Sequence, residues 1–365
     1  MESQKCTLLV LLDLSAAFDM VDHPILIKRL ETQYGITSSS LAWITSYLTD
    51  RKQLVMIQGE SSHCNELDRN IPQGSILGPS FYCDFTRPVE IVIGPEVQSH
   101  FYADDSQLYK DFDPNGPHSV NKMIECVENA ALELEHWMNA NILKLNADKT
   151  EVLIFGSRQQ LLKVNISHVK IGDVDINTTK GARNIGAFLD ENLSYSEHID
   201  NICKTAWFHL RNIRNIRKYL TVEATTILIH AFVTSALDNL NVLLYGIPEC
   251  QLARLQRIQN CAVKTISGDK KHDHVTPILK KHNWLPVRER IQFKILLIAY
   301  KALNGLAPKY IADMLIYKVS FHRTRSADDH LRLFIPKTKH HTFADRAFSV
   351  AAPKLWNDLP LDIRM

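Results

Sequence analysis

Two adjacent aspartates, Asp104 and Asp105, stand in "HFYADDSQLY", and a third, Asp13, closes the apolar run of "LVLLDLSAAFD". Neighbouring carboxylates repel, so such a pair belongs either in a solvated turn, where Asp bonds its own backbone, or beside a positively charged ligand. The flanks of Asp104–Asp105 alternate aromatic with small or polar residues, which predicts a hairpin with both aspartates at its tip. Taken alone, the pair reads as a surface turn. Asp13 changes that reading: if a strand over 7–12 pairs with the hairpin at 101–109, three carboxylates converge at one sheet end. Hard oxygen ligands suit Mg²⁺, and two such ions about 4 Å apart serve in-line phosphoryl transfer. That is the chemistry of polymerases and nucleases.

The elements that must position these residues are legible in outline. Thr7–Leu12 is an apolar run of strand length. In "DHPILIKRLETQYG" Asp22 is a helix cap, Pro24 suits the first turn, Ile25, Leu26 and Leu30 form an apolar stripe, and Gly35 is the stop. A second helix is predicted over Ser39–Leu48 with Leu41, Trp43, Ile44 and Leu48 inward, and a strand over Gln53–Gly59. Ser119–Asn139 is the clearest amphipathic helix, with Met123, Ile124, Val127, Ala131, Leu134 and Trp137 or Met138 at helical spacing. A "DPNGP" turn precedes it and the strand "EVLIFG" follows. Alternating strands and helices indicate an α/β or α+β sheet domain. From about Glu197 the pattern turns helical, over Glu197–Tyr219, Val222–Leu244, Leu252–Ile266 and Val287–Leu303, which places a boundary near residues 190–196.

The net charge of +2 hides an asymmetry. Residues 1–190 hold 16 Lys and Arg against 25 Asp and Glu, whereas residues 191–365 hold 26 against 15. A basic half fits a polyanion partner. Lys204, Arg211, Arg214 and Lys218, at spacings of 7, 3 and 4, share one helical face suited to sequence-independent phosphate contacts; a solvated helix face is the plainer account. The seven cysteines are scattered and never spaced C-x-x-C, which suits free thiols in a reducing compartment. Only six apolar residues precede Asp13 with Thr7 set aside, too few for a signal-peptide core, and no apolar run approaches the ~20 residues of a membrane span. His272, His274 and His282 with Cys261 match no zinc spacing.

Five stretches occur in order: "LLDLSAAFDMVDH", "IPQGSILGPSFY", "FYADDSQLY", "LKLNADKTEVLIFG" and "IGAFLDENLSYSEHI". Each resembles a motif of the reverse transcriptases of non-LTR (LINE-type) retrotransposons, especially the jockey-like and chicken-repeat groups. "LYGIPECQLARLQRIQNCAVKTI" and "RAFSVAAPKLWNDLPLDIR" resemble the region that follows the polymerase, so the resemblance covers residues 7–364. It implies an α+β fold: a polymerase palm with an antiparallel sheet over 1–190, a helical thumb and connection over 191–300, and a C-terminal tail over 301–365. It implies Asp13 and Asp104 as principal metal ligands with Asp105 beside them, for two Mg²⁺ ions, with Mn²⁺ as a substitute. Phe18 matches the aromatic that excludes a 2′-hydroxyl. Pro72, Gln73, Gly74 and Ser75 match the loop beneath the incoming nucleotide, where Tyr102 also belongs. Lys149 matches the lysine that assists the leaving pyrophosphate, ahead of Lys144 for that role. Lys204, Arg211, Arg214 and Lys218 fall where the thumb would follow a template–primer duplex.

The implied partners are an RNA template, a DNA primer and dNTP, with no membrane, in an intracellular setting, nucleus or cytoplasm. Against the family pattern, Asp13 lies only thirteen residues from the start and one cation, Lys5, precedes it. The expectation is therefore that the fingers are largely absent and that polymerisation is impaired through lost triphosphate clamps, with a fingers-containing chain as a potential complement. Three readings stand: an active RNA-directed DNA polymerase, a non-catalytic nucleic-acid-binding remnant or co-opted module, and a different two-metal enzyme such as a nuclease. The last is disfavoured by Phe18 and the Pro72–Ser75 loop.

Overall fold

Five consecutive apolar residues, Leu8 to Leu12, can be buried on both sides only in the middle of a sheet, and the computed structural model places them there. It describes residues 5–270, 272–318, 331–338 and 343–364. The chain forms two compact units, Gln4–Ile185 and Gly186–Met365, so the first unit ends a few residues before the expected boundary.

In the first unit, β1 (Cys6–Leu12) is central. The other strands are β2 (Gln98–Tyr102), β3 (Asp105–Phe112), β4 (Glu151–Phe155), β5 (His168–Ile171) and β6 (Val174–Thr179), in spatial order β2-β3-β1-β4-β6-β5. The expected antiparallel sheet is in fact mixed: β6 runs parallel to β4, pairing Thr178 with Val152. The cause is topological, because β5 takes the outer edge and β6 returns antiparallel to it. One face, with Leu8, Val10, Leu12, Leu108, Val152 and Ile154, packs on helices α1 (His23–Tyr34), α2 (Ser38–Leu48), α3 (Gly78–Thr86) and α4 (Pro117–Ala140). In α1 the Ile25 N–H donates to Asp22 Oδ1 at 3.0 Å, and Gly35 ends the helix at φ 67°. The predicted strand 53–59 is not one strand. Arg51–Gln53 pairs with Asn65–Leu67 and Met56–Ile57 with Glu60–Ser61, leaving Leu54 to Ile57 exposed. Trp43, expected inward, is 58% exposed and stacks on Tyr47.

The second unit is mainly helical: α5 (Ser196–Ile216), α6 (Glu249–Ser267), α7 (Val287–Leu303) and α8 (Phe348–Asn357) share one core. Residues expected as a separate tail join it, since Leu315, Leu333 and Trp356 belong to that core. The predicted helix 222–244 is broken. Thr234 Oγ1 donates to the Ile229 carbonyl at 3.1 Å, five residues back, within a π-turn over His230–Thr234, and Leu240 at φ 54° cannot continue a helix. No helix among the described residues is long and apolar enough to cross a membrane.

His198 gives this unit a pH dependence. It is 5% exposed, Phe188 N–H donates to its Nδ1 at 3.4 Å, and its Nε2 has no partner. Burial pushes its pKa below 6.5. The unfolded chain therefore takes up the proton first, so the stability is present above about pH 6.5 and lost as pH falls through and below that value. Thermal melts should show a lower Tm near pH 5.5 than near pH 7.5, with His198→Gln flattening the difference. Identical pH profiles for the two proteins would refute this role.

Candidate active site

The carboxylates are brought to one sheet end by register. In the β1–β3 pair Leu12 faces Ser106, so one further step sets Asp13 opposite Asp105. The hairpin between β2 and β3 has two residues at its tip, Ala103 and Asp104, with Tyr102 paired to Asp105 and Ala103 at φ 54°. Paired residues project to the same face, so Tyr102 and Asp105 point together, and Tyr102 is 64% exposed.

On the other side of Asp13, a tight turn over Ala147–Lys149 enters β4. Lys149 Nζ donates to Asp13 Oδ2 at 3.0 Å, and Asn146 N–H donates to the Asp13 carbonyl at 2.9 Å. With the Lys149 side chain 66% exposed, this pair contributes at most about 1 kcal/mol. An incoming charged group can therefore displace it at little cost. Burial foremost, then Asp104 and Asp13, raises the Asp105 pKa. Glu151, which faces Leu11 across the strands, is raised by burial.

A floor of aromatic and loop residues continues the site. Phe18 stacks on Tyr82 with centroids 4.8 Å apart at 19°. The Phe18 carbonyl accepts from Ile71 N–H at 2.9 Å, which ties it to the Pro72–Ser75 loop. In that loop Gly74 adopts φ 81°, a left-handed conformation that favours glycine. Ser75 Oγ accepts from Gly78 N–H at 3.0 Å and so caps α3. A Cβ on Gly78 would meet Ser75 Oγ at 2.9 Å and the Pro72 carbonyl at 3.2 Å, so the loop closes only over glycine. Gln73 and Gly74 are exposed.

Asp13, Asp104, Asp105, Tyr102 and Lys149 thus come together, and Phe18 is tied to the Pro72–Ser75 loop. Lys204, Arg211, Arg214 and Lys218 lie in the second unit, all exposed. The carboxylates do not form a ready cage: among the described residues no three His, Cys, Asp or Glu side chains are grouped to hold a metal. Lys149 already binds one Asp13 oxygen, and Asp104 sits in the turn while Asp105 enters the strand. Mg²⁺ requires only one or two protein carboxylates when substrate phosphates and water complete its shell, so the donor set fits that ion.

Tyr82 escaped the sequence reading. It is 1% exposed, its hydroxyl has no hydrogen-bond partner, and burial, then Asp104, raises its pKa. The signal available was an aromatic in "GPSFYCDF", in the helix that follows the loop. A buried hydroxyl without a partner carries an unrecovered desolvation cost. Tyr82→Phe should therefore raise the unfolding free energy by about 1 kcal/mol in denaturant titration; a loss of similar size would mean the hydroxyl is satisfied in solution.

Among known proteins, the family model for reverse transcriptase (RNA-dependent DNA polymerase) matches residues 1–187. The probable RNA-directed DNA polymerase from transposon BS of Drosophila melanogaster is 24% identical over 298 residues, covering 77% of this chain and 31% of that protein. The RNA-directed DNA polymerase from mobile element jockey of the same species is 26% identical over 212 residues, covering 55% and 22%. The chain therefore spans a third or less of these relatives. Telomerase from Candida albicans is a structural neighbour with TM-score 0.35 and 11% identity, covering 76% of this chain and 49% of that one, a likeness that carries no weight here. With half of its length matched by the family model, the chain belongs to the reverse transcriptase (RNA-dependent DNA polymerase) family.

Proposed function

We propose that this chain carries the RNA-directed DNA polymerase chemistry of a LINE-type retrotransposon, with the first unit as palm and the second as thumb and connection. The observation that supports it most is Asp13 set between Asp105 and Lys149 at the sheet end that carries the Asp104 turn. In the reaction a primer 3′-hydroxyl attacks the α-phosphate of a dNTP. A P–O bond forms, the hydroxyl proton passes to solvent water, and pyrophosphate departs with the electrons of the broken bond. Divalent ions, once bound, supply Lewis-acid stabilisation of the charge developing on the phosphate oxygens.

The protein's own groups do the rest. Asp13 and Asp104 would hold the ions, with Asp105 beside them as a further carboxylate ligand. Lys149, released from Asp13, would give charge or a proton to the leaving pyrophosphate. Gln73, Gly74 and Ser75 would lie beneath the nucleotide with Tyr102 alongside, and the Phe18 ring would exclude a 2′-hydroxyl. Lys204, Arg211, Arg214 and Lys218 would contact phosphates of the RNA template and DNA primer. The test is Mg²⁺-dependent extension of a DNA primer on an RNA template, with Asp104→Asn as the control.

A further inference from the structure

Helix α5 carries an aromatic residue in the middle of its solvent face. Its buried stripe runs through Ile199, Ile202, Ala206, Leu210 and Ile213, and Phe208 lies on the opposite side, 61% exposed. Lys204 is four residues before it and Arg211 three after, so both cations flank the ring on the same face. Phe208 meets His209 edge-on, with centroids 5.3 Å apart at 76°, and His209 stacks on Phe232 at 5.0 Å and 23°. Phe232 is 45% exposed and sits on the π-turn over His230–Thr234, which interrupts the helix there. Neither phenylalanine belongs to the core of this unit.

The surroundings are cationic. Residues 201–222 include Lys204, Arg211, Arg214, Arg217 and Lys218 and no Asp or Glu. Arg217 is spent on backbone carbonyls of Leu220, Thr265 and Ile266. The other four have no ion-pair partner among the described residues. One turn beyond Phe208, Arg211 and Arg214 border a hollow of about 490 Å³ with Trp207, Leu210 and Asn215. Lys218 Nζ lies 4.8 Å from the ring centroid of Tyr219, itself 77% exposed. A duplex offers cations its phosphates but keeps its base faces stacked. Exposed flat rings between cations match a strand whose bases are free to stack on them.

We propose that Phe208, His209 and Phe232 form a stacking platform for the unpaired bases of a single nucleic-acid strand, held by phosphate contacts from Lys204 and Arg211. The proposal takes from the polymerase reading only that the ligand is a nucleic acid. Fluorescence anisotropy with the full chain would compare labelled dT12, an abasic strand of equal length and a 12-base-pair duplex. The wild type is expected to bind dT12 about tenfold more tightly than the abasic strand. Phe208→Ala combined with Phe232→Ala should erase that preference and leave the salt dependence unchanged. Lys204→Ala with Arg211→Ala should weaken both strands alike and lower the salt slope. Circular dichroism melts of the same proteins check that these exposed substitutions leave the fold intact.

Equal affinity for dT12 and the abasic strand overturns the proposal, as does an aromatic variant that weakens the duplex as much as dT12, survival of the preference in that variant, or no binding at all. Primer extension by Asp104→Asn concerns the other unit, so its outcome is independent of this one.

Discussion

Asp104→Asn is expected to slow RNA-templated primer extension by at least about a hundredfold while leaving the protein folded. Asparagine keeps the size of the side chain and removes its charge, so the two-residue turn at Ala103–Asp104 survives. In the proposed mechanism the change removes one of the carboxylates that would hold the ions stabilising the transferring phosphate, and losing one electrostatic stabiliser of a transition state costs about 10²–10³ in rate. Stability should move the other way. Asp104 is one cause of the raised Asp105 pKa, so removing its charge relieves repulsion, and melts should show a Tm equal to or above that of the wild type. A lost rate with an undiminished Tm is a chemical effect, separable from unfolding. Asp13→Asn should cost a similar factor. The double variant should be scarcely slower than either single one, because residues acting as a unit are not additive. Extension persisting in Asp104→Asn would remove the hairpin from the mechanism, and Mg²⁺-dependent cleavage without extension would favour a nuclease.

Much of this site was legible because its determinants are local. Asp22, Pro24 and Gly35 punctuate α1 through their own backbone chemistry, and the aromatic alternation around Asp104–Asp105 marks a tight hairpin whatever it packs on. What sequence could not show depends on partners distant in the chain. The alternation in "QLVMIQG" resembles a half-buried strand, yet nothing lies across from Leu54 to Ile57 to bury them, so the segment breaks into two short ladders. Trp43 fits a helical apolar stripe, but its ring finds Tyr47 one turn on and stays outside. The parallel pairing of β6 with β4 follows from the route of the chain through β5, which no periodicity encodes. The Lys149–Asp13 contact joins residues 136 positions apart. The resemblance singled out both residues without indicating that one neutralises the other at rest. Tyr82 was invisible for a similar reason: its stacking on Phe18 and the influence of Asp104 on it join residues far apart in the chain.

The Phe18–Tyr82 stack leads to the second large effect, on the choice of sugar. A ring excludes a 2′-hydroxyl only if it cannot swing aside, and Phe18 is restrained twice. Its face rests on buried Tyr82 at 4.8 Å, and its carbonyl is fixed by Ile71 at the base of the Pro72–Ser75 loop. Phe18→Val keeps part of the packing and removes the ring; Phe18→Ala removes more, at up to about 3 kcal/mol of stability, since the ring is only partly buried. Both should lower the preference for dNTP over rNTP, expressed as the ratio of kcat/KM values, by roughly tenfold to a hundredfold. That ratio is internally normalised: a smaller folded fraction lowers both rates equally and leaves it unchanged. A ring that serves only the core would leave the ratio as in the wild type while both rates fall, and that result would return Phe18 to packing alone. A gate predicts the opposite ordering. Incorporation of rNTP should rise in absolute terms in Phe18→Val, the variant that loses least stability, and Tyr82→Phe should leave the ratio untouched because the stacked ring beneath Phe18 remains.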